Sequence, residues 1–164
     1  YQFQLAPEIK WPNDVLLRRR KVAGILVEAH WPGEQLDAAI LGIGVNVASI
    51  SLPPDSELVF PATTLEHELG KVLPRGQLLR NILERILAWR DEMHQAGFLQ
   101  TWDQRLAFRD EWVQLLGANN LENSAQRVKI LGLDERGCLR VQEENGLLST
   151  VLAGEVRLRP LHIS

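Results

Sequence analysis

From residue 21 to residue 31 apolar positions follow one another almost without a break, in KVAGILVEAHW. They do so again over 36–47, in LDAAILGIGVNV. Short β-branched runs of this kind predict strands, the first of them buried on both faces. Pro32 and Gly33 mark a turn between the runs, so the pair predicts an antiparallel hairpin. An earlier hairpin is expected just before it, with a strand over 14–17 returning over 22–29 through Arg18, Arg19 and Arg20.

The pattern then changes period. Residues 48–62 are proline-rich and aperiodic, and a loop of that length in a compact domain is usually functional or disordered. Thr63 and Glu66 have capping-box spacing for a short helix, which Gly70 can end. Leu78, Leu79, Ile82, Leu83, Ile86, Leu87 and Trp89 recur at helical spacing, predicting a helix over 75–96 packed on the sheet, with Gly97 as its stop. Phe98, Trp102 and Leu106 predict one face of a second, shorter helix. Trp11, Trp89, Trp102 and Trp112 are read as core. After residue 110 come WVQLL, RVKILGL, CLRVQEE, LLSTVLA and EVRLR, separated by turn residues. Five short strands so spaced predict a small barrel. The whole reads as α+β: a mixed or antiparallel sheet with helices on it, then the barrel.

Composition narrows the function classes more than it selects one. The chain has 164 residues, 45% hydrophobic and 24% charged, which suits a globular protein of one or two domains. A net charge of −3 gives no bulk electrostatic call for nucleic acid. The single cysteine, Cys138, excludes an internal disulfide and favours a reducing cytoplasm. No apolar run reaches the ~18–20 residues of a membrane span. The four histidines lack ligand spacing with each other or with Cys138, which argues against zinc. GIGVN at 42–46 starts like a dinucleotide fingerprint but has no third glycine and no following helix.

Lys10, Asn13, Asp14 and Lys21 crowd around apolar residues in IKWPNDVLLRRRKVAGILVE. On residue types alone, a turn anchored by Trp11 and Pro12, with a solvated basic tip, explains them better than a site does. The ordered set KWPND (10–14), KVAGILVE (21–28), GIGVNV (42–47), ATTL (62–65) and GEVRLR (154–159) goes further. It closely resembles the biotin protein ligase family, the biotin–[acetyl-CoA carboxylase] ligases.

That resemblance implies ATP-dependent formation of biotinyl-AMP, then transfer of biotin to a lysine of a biotin carboxyl carrier protein. The first step brings two anions together, which calls for fixed cations and Mg²⁺. It implies that Lys21 meets the biotin carboxylate and the α-phosphate. On the same resemblance Gly24 and Leu26 would line the biotin pocket. It implies that Asn13 and Asp14 stand at the phosphate and Mg²⁺ end, and that Asp14 also steers or deprotonates the carrier lysine. It further implies that Asn46 reads adenine, that Glu155 and Arg159 lie near the nucleotide, and that loop 48–62 closes over the adenylate.

For the fold it implies the C-terminal part of a class II synthetase-like catalytic domain over 1–109 and an SH3-like barrel over 110–164. The family's Gly-Arg-rich phosphate and biotin loop precedes KWPND and is not in this sequence, so the site is expected to be shared with residues outside it. The isolated chain is accordingly expected to be inactive. A catalytically inactive adenylate-binding or regulatory relative, or a lipoate-ligase-like enzyme, are the alternatives. A homodimer and a DNA-binding domain are left open.

Overall fold

The structure is a computed structural model that describes residues 5–52, 58, 60–90, 92–93, 97–117, 126–152 and 156–160. The chain folds as two compact units, one of residues 1–7 and 13–73, the other of residues 8–12 and 74–164. The strands in chain order are β1 (Glu8–Lys10), β2 (Asp14–Leu17), β3 (Arg20–His30), β4 (Ala38–Val45), β5 (Trp112–Gly117), β6 (Gln126–Leu133), β7 (Leu139–Glu143), β8 (Leu148–Val151) and β9 (Val156–Pro160). The helices are α1 (Leu65–Leu69), α2 (Arg75–Arg90) and α3 (Gly97–Asp103).

In the first unit β2, β3 and β4 form an antiparallel meander, as the two apolar runs predict. Leu17 pairs with Arg20, so only Arg18 and Arg19 make the first turn. Both take left-handed backbone conformations, with φ of 49° and 63°. Such a two-residue turn matches the twist of the strands but favours Asn-Gly. Arginine there costs about 1–2 kcal/mol per residue, so the turn depends on contacts elsewhere.

The β2–β3 ladder is interrupted once. Val15 faces Ala23, but the next residue, Leu16, faces Lys21, so Val22 is a bulged extra residue. Its side chain is buried, 4% exposed. β3 and β4 then run in unbroken register from Ala23 opposite Val45 to His30 opposite Ala38.

Burial on both faces of β3 does not hold. Val22 is buried, but Leu26 and Val27 are 58% and 61% exposed, and Ile40 and Leu41 on β4 are 63% and 46% exposed. β2 is only four residues long, and no other described element of its unit covers the far half of the hairpin.

α1 is capped by Thr64, whose side chain accepts a hydrogen bond from the His67 amide, rather than by Thr63. Gly70 ends the helix in the left-handed region, as predicted. Of loop 48–62, residues 49–51 form a 3₁₀ turn, and residues 53–57 and 59 lie outside the described residues.

The second unit contains the predicted five strands as one antiparallel sheet ordered β8-β7-β6-β5-β9. Alternate residues point inward: Val113 and Leu115, Val128 and Ile130, Leu139 and Val141 are all 5% exposed or less. Period-two alternation puts one face of each strand into a common core. Trp11 joins this core at 1% exposure, its indole N–H donating to the Gly137 carbonyl at 3.1 Å.

Trp102 and Trp112 are half-buried and Trp89 is 44% exposed, so of the four tryptophans read as core only Trp11 is. The α2 stripe is helical as predicted, yet the helix has no buried residue. Leu79, Leu83 and Leu87 remain more than half exposed. A helical period fixes which face is apolar, not that another element covers it. Gly97 opens α3 instead of stopping α2, which ends at Arg90.

Candidate functional site

The bulge at Val22 changes the parity of β3. Residues 21 and 24 are three apart, so in a regular strand they would face opposite sides. With one residue extruded, they share a side. Asp14 lies directly opposite Gly24 on β2, on that same side. The Lys21 ammonium therefore pairs with the Asp14 carboxylate above Gly24. Asp14 is 8% exposed, whereas 39% of the Lys21 side chain remains open to solvent.

Gly24 leaves the ammonium its room. A Cβ on it would stand 3.1 Å from Lys21 Nζ, 3.2 Å from Lys21 Cε and 3.5 Å from Asp14 Oδ1. An added side chain would crowd the flexible end of Lys21, which would have to shift. Gly44 faces Gly24 across the β3–β4 ladder, and Gly42 faces Leu26. These positions floor an open groove of about 460 Å³, lined by Asn13, Lys21, Gly24, Ile25, Leu26, Gly42, Ile43 and Gly44.

A Cβ on Gly44 would meet the Gly24 carbonyl oxygen at 3.9 Å, an ordinary contact. The fold thus tolerates alanine at 44, and what glycine preserves is empty space above the strand. The G-x-G alternation at 42–44 was the sequence signal for this floor, since glycines two apart share a strand face.

Asn13 closes one end. Its carbonyl accepts from the Ile25 amide at 2.9 Å and its carboxamide donates to the Ile25 carbonyl at 2.8 Å. The side chain so adds a rung to the ladder next to the groove. Asn46 sits behind Lys21, donating from Nδ2 to the Lys21 carbonyl at 3.3 Å while its own amide donates to Val22. Asn13, Asp14, Lys21, Gly24, Leu26 and Asn46 are thus brought into one neighbourhood. Arg159 lies in the other unit, opposite Gln114 in the β5–β9 pairing, and Glu155 lies outside the described residues.

Lys21 is also held from its second edge. Its amide donates to the Pro61 carbonyl at 2.8 Å, and the Thr63 amide donates to the Lys21 carbonyl at 2.9 Å. Nearby lies a group the sequence reading missed. The Glu68 side chain is fully buried, with Oε1 accepting from Thr63 Oγ1 and from Arg20 Nη2, each at 2.7 Å. Its Oε2 accepts no hydrogen bond and faces Arg18 Nε at 3.5 Å. Burial alone would raise the Glu68 pKa. The Thr63 hydrogen bond and the charges of Arg20 and Arg18 outweigh it, holding the carboxyl below its usual 4.5.

An exposed ammonium beside a groove with apolar walls can meet the anionic end of a ligand whose body lies on the glycine floor. A resident metal is another matter. Among the described residues no three His, Cys, Asp or Glu side chains cluster to hold one. Asp14 is already engaged by Lys21, so Asn13 and Asp14 do not by themselves fit a protein-held Mg²⁺. That ion prefers to keep waters and bind through substrate phosphates.

A family model described as the biotin/lipoate A/B protein ligase family matches residues 6–46, which include this groove. The bifunctional ligase/repressor BirA of Salmonella typhimurium is 31% identical over 156 residues, covering 92% of this chain and 46% of that protein. The biotin–[acetyl-CoA-carboxylase] ligase of Paracoccus denitrificans is 37% identical over 94 residues, 55% of this chain and 38% of that one. The chain thus spans less than half the length of these curated relatives. Among solved structures, the apo biotin protein ligase from Aquifex aeolicus matches with a TM-score of 0.79 at 30% identity, over 97% of this chain and 67% of that one. The same ligase in complex with biotin and ATP matches with a TM-score of 0.77, over 97% and 64%.

The lowered Glu68 pKa fixes the sign of an acid effect. The fold favours the ionised carboxylate, so its contribution is complete above the usual value of 4.5 and is lost as pH falls through the lower folded value. The urea midpoints of wild type and Glu68→Gln are expected to converge between about pH 7 and about pH 3. A gap independent of pH would contradict this.

Proposed function

The chain belongs to the biotin protein ligase family, and from that premise we propose that it supplies one wall of an acyl-adenylate site, with the groove on β3 and β4 as the biotin subsite. In this reading the biotin carboxylate attacks the α-phosphate of ATP. A carboxyl-oxygen–phosphorus bond forms, the bond to the β-phosphate bridge breaks, and pyrophosphate leaves. The ε-amine of a lysine on the biotin carboxyl carrier protein then attacks the acyl carbon, and AMP departs.

The observation that carries the proposal is the Lys21 ammonium held above Gly24 at the mouth of the groove. A fixed cation there offsets repulsion between carboxylate and phosphate and stabilises charge developing in the transition state. Lys21 is the proposed group for that, a compact point charge on a flexible stem. Gly24 and Leu26 contact biotin, and Asn13 faces the phosphates. Asp14 orients Lys21 in the first step and takes the proton of the carrier amine in the second. Asn46 offers the adenine edge a donor and an acceptor. Arg159 and Glu155 are retained as nucleotide-side residues. Mg²⁺ enters with the nucleotide phosphates.

Residues 1–109 would then be the C-terminal part of a class II synthetase-like catalytic domain, and residues 110–164 an SH3-like barrel; that boundary falls inside the second compact unit. Biotin is preferred to lipoate because the Paracoccus denitrificans and Aquifex aeolicus relatives are biotin ligases by name. A reducing cytoplasm is the proposed location. No helix among the described residues is long and apolar enough to cross a membrane.

In a protein that also supplies the Gly-Arg-rich loop expected above, Lys21→Ala should slow biotin-dependent exchange of pyrophosphate into ATP by roughly 10²–10³, the scale of one lost charge-stabilising group. Exchange within threefold of wild type would remove Lys21 from the chemistry. Gly44→Ala separates fold from groove. Stability should be unchanged or raised by up to about 1 kcal/mol, since glycine is the poorer strand residue. The KM for biotin should rise about tenfold, because the methyl occupies ligand space. An unchanged KM would move the biotin subsite elsewhere.

A further inference from the structure

Lys21 stands close to a turn whose own residues do not favour it. It follows two arginines at positive φ and precedes a bulge. Neither feature is encoded by a glycine or an Asn-Gly pair, the usual residues for such a turn. Something distant in sequence must hold this stretch in place. Three pieces of geometry converge on one side chain.

Arg20, the residue immediately before Lys21, reaches Glu68 at 2.7 Å. Thr63, whose amide donates to the Lys21 carbonyl, also gives its hydroxyl hydrogen bond to Glu68 at 2.7 Å. Arg18, the first strained turn residue, faces the other Glu68 oxygen at 3.5 Å. One buried carboxylate thus grips the strand on which Lys21 stands and the segment that pairs with its outer edge. Lys21 bridges in parallel to Ala62, between the two Glu68-bound points.

We infer that Glu68 is a positioning residue for the Lys21 ammonium, acting through Arg20 on β3 and Thr63 on the paired segment. The inference rests on the proposed role of Lys21. Glu68 is not among the residues that line the groove. Its influence passes through the backbone of residues 20–21 and 61–63. Loss of the clasp would let the turn relax and the ammonium drift from its place above Gly24. Misplacement of a reacting group by about 1 Å can cost up to about 100-fold in rate.

The test is a double-mutant cycle in biotin-dependent pyrophosphate exchange, run in a protein that also supplies the Gly-Arg-rich loop expected above, with unfolding midpoints measured alongside. Glu68→Gln should lower kcat about tenfold at temperatures well below its midpoint, with the KM for ATP changed less than about twofold. In the Lys21→Ala background the same substitution should cost less than about twofold, because the group it positions is gone. A general structural role would lower both backgrounds equally, and that result overturns the inference.

Exchange by Glu68→Gln within about twofold of wild type also overturns it. If Glu68→Gln does not fold, Thr63→Val removes one of the two hydrogen bonds at nearly constant volume. It should lower kcat about threefold in the wild-type background and leave the Lys21→Ala background unchanged. Equal loss in both backgrounds, or none in either, overturns the inference in that variant too. If Lys21→Ala itself leaves exchange unchanged, the reading of Lys21 fails, and the positioning role fails with it. If Lys21→Ala is severe and Glu68→Gln is silent, only the positioning role fails.

Discussion

One extruded residue governs the geometry of the groove. Without the bulge at Val22, Lys21 would face away from Asp14 and Gly24, because side chains alternate along a strand. With it, a cation, an anion and a glycine share one side of a two-strand ladder. The extruded side chain is buried, so the bulge is anchored by packing as well as by hydrogen bonds. The tight Arg18–Arg19 turn lies immediately upstream, and the segment around Ala62 pairs with Lys21 from the other edge. Local strain and long-range pairing thus meet at the residue proposed to carry the chemistry. Strained backbone persists only where the surroundings over-determine it.

The groove beside that point is built by omission. Gly24, Gly42 and Gly44 leave the strand surface bare, and two strands can approach without filling the space between their side chains. Of these three, only at Gly24 would an added Cβ crowd the protein's own atoms. At Gly44 the protein has room for a methyl, so packing does not require glycine there. The half-exposed Lys21 meets an almost buried Asp14, which keeps the ammonium oriented until an anion competes for it.

Much of this was legible in the sequence, and the failures have separate physical causes. Both hairpins and the five-strand sheet follow from alternation and turn residues, which are local signals. The bulge is not local: it exists only in the register between β2 and β3, and no composition at Val22 announces it. Burial was overestimated for β3 and α2 because a periodic apolar face shows what could be covered, while cover depends on other elements. Thr63-x-x-Glu66 has the spacing of a capping box, but Thr64 caps the helix. Thr63 turns to Glu68, and Glu66 accepts from the Leu73 amide at 3.0 Å. Glu68 was invisible for the same reason as the bulge, since its partners lie 5, 48 and 50 positions away. Asn13, Asp14, Lys21, Gly24, Leu26 and Asn46 were named from motif order, and they fall together around β3. Arg159 and Glu155 gained no such support.

The central claim is that the glycine-floored groove holds biotin with its carboxylate at Lys21. A crystal structure of the protein with biotin and a non-hydrolysable ATP analogue tests it most directly. The account predicts biotin lying along Gly24 and Gly44, its carboxylate about 3 Å from Lys21 Nζ. Biotin bound away from β3 and β4, or its carboxylate held by other groups with Lys21 still turned to Asp14, would contradict it.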